Sequence, residues 1–274
     1  MEFMGDTTGA SAAGMTAVIP TRRVAFGAFI DWEAEIRMRL EPRYVPTFVE
    51  FDRAPLDGFD VVAPLHIHHY PPLWRRPDLR GRKFLHPDEA AVAICDDKAR
   101  LGEFLIAAGL GDHVPAFRAP GPPYPYVWKQ RSGYYGMHCR VITGPQDEAG
   151  LDLGDRGWFA QALVPGQVEF AAHILLARGE VRYASTFAYE MPGEGLVKGA
   201  AHWPHTTRMM RGCPYLGLFA EILSRLDYEG VACIDFKLAD GRPQLLEINP
   251  RFGGSLKFDV NAYLDAYVQA LEAG

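Results

Sequence analysis

Residues 231–255 read VACIDFKLADGRPQLLEINPRFGGS, and the reading of this stretch decides the rest of the chain. Two apolar, strand-like runs, 231–238 and 244–248, flank the turn signal Asp240-Gly241. Three oxygen ligands suited to a hard cation sit on them: Asp235, Glu247 and Asn249. Glu247 and Asn249 are two apart, so in a strand they share a face. Whether Asp235 joins them depends on the turn. A two-residue loop at Asp240-Gly241 sets Asp235 opposite Leu246. A three-residue loop, Asp240-Gly241-Arg242, sets it opposite Glu247. The three-residue loop is the expectation, because it suits a left-handed glycine and keeps Pro243 near the loop rather than mid-ladder. Two carboxylates and an amide carbonyl then converge on one point, as Mg²⁺ or Mn²⁺ requires. A half-buried hairpin with an acidic outer face explains the turn. It does not explain carboxylates embedded among Ile234, Phe236, Leu246 and Ile248, where an unpartnered charge is costly.

The length of 274 residues suits one to two domains with a sizeable core. The net charge of −6 and the lack of a Lys/Arg run argue against a nucleic-acid partner. Arg75, Arg76, Arg80, Arg82 and Lys83 form a modest cluster that reads as a solvated loop or an anion contact. No apolar stretch reaches the ~18–20 residues that span a bilayer, so no membrane partner is expected. Cys95, Cys139, Cys213 and Cys233 show no Cys-x-x-Cys spacing. With no secretory signal they read as reduced thiols, which places the chain in the cytoplasm. Residues 1–21 lack a basic start and a continuous apolar core, and read as a disordered tail.

Residues 22–93 form a small α/β unit. Strand 23–30, helix 32–40 and strands 44–51 and 59–65 follow in an order that predicts a parallel sheet. Ligands of such sheets bind beyond the carboxyl ends of the strands. The third strand runs into His66, His68 and His69. This cluster reads first as a surface loop and second as a substrate or metal contact, because no further ligand is near in sequence. Asp97-Lys98 then opens a helix over 99–109, and a short strand ends at Lys129. Strands over 170–176 and 180–189 make a hairpin, and the irregular segment 191–201 carries Lys198. Helices over 216–226 and 261–274 complete the chain.

The hairpin ending in Glu247-Ile248-Asn249-Pro250-Arg251 resembles the last metal-binding hairpin of the ATP-grasp superfamily, and a weaker resemblance runs from about Asp97 to the C-terminus. It implies an α/β (α+β) ATP-grasp fold behind the small N-terminal parallel-sheet domain. The expected divisions are the tail at 1–21, the N-terminal domain at 22–93, a central and lid subdomain at 94–157, and a C-terminal subdomain at 158–274. It further implies that Lys98 and Lys129 hold the phosphates of ATP. The backbone of Gln161, Ala162 and Leu163 would meet the adenine edge, and Glu169 the ribose hydroxyls. Lys198 would help hold phosphates or substrate. Asp235, Glu247 and Asn249 would hold one or two Mg²⁺ (or Mn²⁺). Arg251, with Lys129, would serve catalysis by taking up charge on the transferred phosphoryl group. Three departures stand out. The lid segment 130–137 has only Gly133 and Gly136, with Tyr134 and Tyr135 between them; Ala162 replaces the usual acidic hinge residue; and Cys233 stands where some relatives carry an arginine.

The implied reaction is ADP-forming ligation of a carboxylate to an amine (or thiol), with small-molecule substrates and a symmetric homodimer as is common in the superfamily. Two alternatives stay open: a non-catalytic ATP-binding module, and a phosphotransferase that stops at the phosphorylated product.

Overall fold

The computed structural model describes residues 20–121, 123–133, 138–199 and 202–274. Residues 1–19 of the expected tail, and Tyr134, Tyr135 and Gly136 of the expected lid, lie outside the described residues. Strands β1 (Arg22–Gly27), β2 (Tyr44–Val49) and β3 (Val61–Ala63) form a parallel sheet in the order β2-β1-β3, with helix α1 (Ile30–Arg39) as the first crossover. The short helix α2 (Tyr70–Trp74) follows. Helix α3 (Glu89–Asp96) is capped by the Asp88 carboxylate, which accepts from Ala91 N. Helix α4 (Lys98–Ala107) is capped by Asp97, which accepts from Ala99 N and Arg100 N and is gripped by Arg131 at 2.8–3.1 Å. That bidentate grip holds the helix start, and so Lys98, against the end of the strand bearing Lys129.

Strands β4 (Phe117–Arg118), β5 (Tyr126–Gln130) and β6 (Cys139–Ile142) are followed by a one-turn helix α5 (Pro145–Glu148) and by β7 (Trp158–Ala162). They form an antiparallel sheet in the order β4-β7-β5-β6 around a small core of Tyr126, Trp128, Ile142 and Ala160.

The largest sheet contains β8 (Val168–Ala177), β9 (Glu180–Glu190), β10 (Thr206–Arg211), β11 (Gly230–Ala239) and β12 (Arg242–Asn249), antiparallel in the order β10-β9-β8-β11-β12. Helix α6 (Leu216–Arg225) covers one face: Ala172, Ile174, Ile234 and Phe236 pack on Phe219, Ile222 and Leu223, with Leu101 and Leu105 of α4. The alternation of a strand sends the intervening residues to the other face. There Glu169 and Ala171 of β8 stand beside Lys237 and Asp235 of β11. Strand β10 was not expected from sequence. Its run Thr-Thr-Arg-Met-Met-Arg has no apolar period, and it pairs only as an exposed edge strand. Helix α7 (Val260–Glu272) joins the N-terminal unit: Tyr263, Leu264 and Tyr267 share a core with Val24, Phe26 and Ile36, and Leu85 N donates to Tyr267 Oη at 2.6 Å. No helix among the described residues is long and apolar enough to cross a membrane.

The turn of the deciding hairpin differs from expectation, although its outcome does not. Ala239 pairs with Arg242, so the loop has two residues. Asp240 and Gly241 have φ of 51° and 75°, the signs of a type I′ turn. The odd residue sits instead in β12: Phe236 faces Leu245, yet Asp235 faces Glu247, with the register shifting between them. A β-bulge at Leu246 thus delivers the convergence that was assigned to a longer loop.

Gly230, where β11 begins, has φ of +97°, and a Cβ there would lie 2.8 Å from Leu85 O and 3.0 Å from His86 Cα. Both contacts are main chain and cannot swing away. Gly230→Ala should therefore cost about 2–3 kcal/mol, read as a lower urea midpoint at unchanged slope. An unchanged midpoint would show that the two segments can separate freely.

Candidate active site

A cleft of about 840 Å³ runs between the four-stranded and five-stranded sheets. Every residue assigned from the sequence to nucleotide, metal or catalysis lines it: Lys98, Lys129, Gln161, Ala162, Leu163, Glu169, Lys198, Asp235, Glu247, Asn249 and Arg251. Their positions come from strand geometry. On β11 the alternate residues Cys233, Asp235 and Lys237 face the cleft, and past the bulge Glu247 and Asn249 of β12 do the same.

Asn249 spans the two carboxylates. Its Nδ2 donates to Asp235 Oδ2 at 3.2 Å and to Glu247 Oε1 at 3.0 Å, and its Oδ1 accepts from Arg251 Nη2 at 3.0 Å. Lys98 Nζ pairs with Glu247 Oε2 at 3.0 Å and donates to Gly133 O at 2.8 Å. Burial pushes the Glu247 carboxyl up, but Lys98 and the Asn249 amide outweigh it and bring its pKa down to about 2. Asp235 goes the other way. Burial raises it, Lys198 pulls it back, and the negative charges of Glu247 and Glu169 add to the rise, leaving it at about 8. Burial and mutual repulsion thus hold the two carboxyls apart in proton affinity, Asp235 raised and Glu247 lowered.

Among the described residues no group of three or more His, Cys, Asp or Glu side chains is disposed to hold a metal. The hairpin offers a different donor set, two carboxylates and one amide. This set fits a hard divalent cation by its chemistry: two carboxylates and an amide converge, and all available donors are oxygen once the Asn249 amide turns over.

The basic residues differ in how they are paired. Lys198 Nζ lies 2.9 Å from Glu169 Oε1, 3.8 Å from Asp235 Oδ1, and 4.1 Å from the Tyr189 ring centroid. Burial pulls Lys198 down, but Asp235 and Glu169 hold its pKa well above the ordinary lysine value. Glu169, assigned to the ribose, is thus engaged by Lys198 here. Lys129 is only 6% exposed. Its Nζ donates to Leu246 O at 3.2 Å and sits 5.2 Å from the Phe159 ring centroid. No carboxylate lies within ion-pair distance of it among the described residues, and burial pulls its pKa down to about 8. Arg251 is buried, its Nη1 donates to Phe252 O at 2.9 Å, and its guanidinium lies 5.7 Å from the Trp32 ring.

The hinge residues divide. Gln161 Nε2 donates to Pro115 O at 2.8 Å, and Ala162 N donates to Ala116 O at 2.8 Å. These donors belong to the sheet. Strand β7 ends at Ala162, so Leu163 and Val164 are the residues that follow the cleft wall beyond it. Lys237 was missed by the sequence reading. It is buried opposite Glu169, and its Nζ donates to Gly166 O at 2.6 Å. Its position two residues after Asp235 was the available signal, since that spacing keeps a strand residue on the same face.

Of the histidine cluster, His69 is tied into the fold. His69 Nδ1 accepts from Leu65 N at 3.2 Å and His66 N at 3.1 Å, while Nε2 faces Ala28 O at 3.2 Å. Burial, reinforced by the neighbouring His68, lowers both His66 and His69 to about 4, so both are uncharged at neutral pH. Cys233 is buried 3.8 Å from Asp235 Oδ1, and burial and that carboxylate raise it well above the ordinary thiol range. It remains a thiol, not a nucleophilic thiolate.

No protein-family model matches the chain, and no curated protein matches it. Solved structures do. The D-alanine–D-alanine ligase of Bacillus anthracis superposes with a TM-score of 0.61 at 14% identity, covering 92% of this chain and 98% of that one. The L-amino acid ligase of Bacillus licheniformis gives 0.59 at 18% identity, over 92% and 75%. The N5-carboxyaminoimidazole ribonucleotide synthetase of Thermotoga maritima gives 0.58 at 16% identity, over 92% and 76%. All three are ATP-grasp enzymes. At these identities the likeness speaks to the fold: this chain has the ATP-grasp fold behind a small parallel α/β sheet.

Proposed function

We propose that the protein is an ATP- and Mg²⁺-dependent ligase that activates a carboxylate as an acyl phosphate and joins it to an amine, releasing ADP and phosphate. One observation carries this reading. One cleft holds both a convergent set of oxygen-bearing side chains, Asp235, Glu247 and Asn249, and a buried lysine, Lys129, with no carboxylate within ion-pair distance among the described residues. A nucleotide polyphosphate with its divalent ion meets both at once. The similar structures of two ligases support it, and the D-alanine–D-alanine ligase of Bacillus anthracis has been solved in complex with ATP.

A carboxylate is a poor electrophile. In the reaction its oxygen attacks the γ-phosphorus, the β,γ-bridging P–O bond breaks, and ADP leaves. The amine then attacks the acyl carbon, phosphate departs and the amine loses a proton. The barrier is the repulsion among phosphates and substrate carboxylate. When bound at Asp235, Glu247 and Asn249, Mg²⁺ supplies charge neutralisation on phosphate oxygens. Lys129 and Lys98 supply fixed positive charge. Arg251, two residues beyond Asn249, supplies a planar donor pair for the transferred group once it leaves Asn249 Oδ1. The low exposure of these groups keeps water from screening them.

ADP release from Mg·ATP, measured against paired pools of small carboxylic acids and amines, tests the reading. Stimulation that needs both partners is expected. Tight Mg·ATP binding with no stimulation by any pair would favour a binding module, and stimulation by an acid alone, with a phosphorylated product, would favour a phosphotransferase.

A further inference from the structure

One lysine answers two carboxylates that the ligase reading gives to different ligands. Lys198 Nζ lies 2.9 Å from Glu169 Oε1 and 3.8 Å from Asp235 Oδ1. Asp235 belongs to the divalent ion, and Glu169 to the ribose hydroxyls. The two carboxylate side chains are only 7% and 12% exposed, so water does little to screen the contact. Nζ also lies 4.1 Å from the Tyr189 ring centroid, which fixes the ammonium between them.

The segment that carries Lys198 reaches the nucleotide from a third side. Gly195 comes against the hinge residue Leu163, since a Cβ there would lie 3.3 Å from Leu163 Cδ2. Leu196, Val197 and Lys198 all line the cleft. This segment therefore borders the base edge, the ribose carboxylate and the metal carboxylate together.

The same ammonium cannot stay where either ligand goes. A divalent ion on Asp235 repels a cation held by that carboxylate. Ribose hydroxyls donating to Glu169 replace the closer of its two contacts. Departure from both leaves no carboxylate unanswered. Lys237 still stands opposite Glu169 across β8 and β11, and Asp235 gains the divalent ion.

We propose that Lys198 is an internal cation that couples the metal site to the nucleoside site: it bridges Asp235 and Glu169, and either ligand displaces it from both and so opens the cleft for the other. The inference rests on the ligase reading for the identity of the two ligands.

Isothermal calorimetry on the full chain tests it, with Mn²⁺ alone, adenosine alone, each in the presence of the other, and Mn·ATP in parallel. Adenosine has no phosphate to chelate the metal, so coupling between the two passes through the protein. Saturating Mn²⁺ should tighten adenosine binding at least about fivefold, and adenosine should tighten Mn²⁺ by the same factor, as linkage requires. Lys198→Met and Lys198→Gln each remove the shared charge. Both should bind Mn²⁺ alone at least about fivefold more tightly than the parent and bring the coupling factor to near one. A merely structural lysine gives the opposite sign, because its loss loosens the site and weakens the metal. A coupling factor near one in the unaltered protein, a factor that survives both substitutions, or Mn²⁺ binding weakened by both overturns the proposal and leaves the nucleotide and metal assignments standing. Failure to bind Mn·ATP overturns the ligase reading, and the proposal with it.

Discussion

Glu247→Gln should lower ADP release by at least about 10³-fold and leave the fold intact. Glu247 is held from three sides. It pairs with Lys98 at 3.0 Å, accepts from Asn249 at 3.0 Å, and faces Asp235 across the hairpin. Gln keeps the size and the Asn249 contact but removes the charge. Two effects on stability then oppose each other. Lys98 loses its counter-ion in a site where its side chain is only 11% exposed. Asp235 gains, because a negative neighbour that raises it is gone. The two largely offset, so the urea midpoint should move little. The divalent site does not recover. With one carboxylate left, affinity for Mg²⁺ or Mn²⁺ should fall by at least about 100-fold, read by calorimetry independently of turnover. Retained ADP release within tenfold of the parent would mean that the hairpin carboxylates do not hold the metal.

Lys129→Met should make the nucleotide-free protein more stable and bind ATP more weakly. Lys129 is 6% exposed, without a carboxylate partner among the described residues, and its pKa of about 8 lies below the lysine value of 10.5. A difference of about 2.5 units corresponds to roughly 3 kcal/mol of penalty for keeping the charge in the fold. The bond to Leu246 O and the contact with the Phe159 ring return part of this. Met fills similar space without the charge, so the unfolding free energy at pH 7 should rise by about 1–2 kcal/mol. The sign of the pH dependence follows from the lowered value. The folded protein gives up this proton before the unfolded chain does. Parent stability therefore recovers as pH rises from about 8 towards 10.5, and the advantage of the Met variant should fade over that window. ATP affinity should fall about 10- to 100-fold, the value of one charged phosphate contact. For the same reason, parent activity should decline as pH rises through about 8. A Met variant less stable than its parent at pH 7 would show that the lysine is compensated by a group outside these contacts.

The N-terminal parallel sheet was legible because two strand-like runs, 23–30 and 44–51, flank a segment of helical length, and the strand–helix–strand order permits little else. The metal hairpin was legible for a similar reason: Asp-Gly marks a turn, and Glu247 and Asn249 announce their shared face by spacing alone. The hairpin register was reached by the wrong route. A sequence shows that one odd residue is needed, but not whether it sits at Arg242 in the loop or at Leu246 in the strand; the bulge is set by what the turned backbone meets, here Lys129. Strand β10 was missed because it lies at an exposed edge, where no buried stripe imposes a period, and the turn at Gly254–Asp259 because six residues with Ser255 and Leu256 buried are too few to show one.

The sequence by itself determined which residues carry charge and which faces of the local strands they occupy, because those depend on neighbours two to four residues away. The tertiary structure decided which charges are answered. Lys198 meets Glu169 and Asp235, Lys98 meets Glu247, and Lys129 meets no carboxylate among the described residues, through pairings between distant segments that no local period encodes. Burial, which turns those pairings into shifted proton affinities, exists only once the sheets have closed over them.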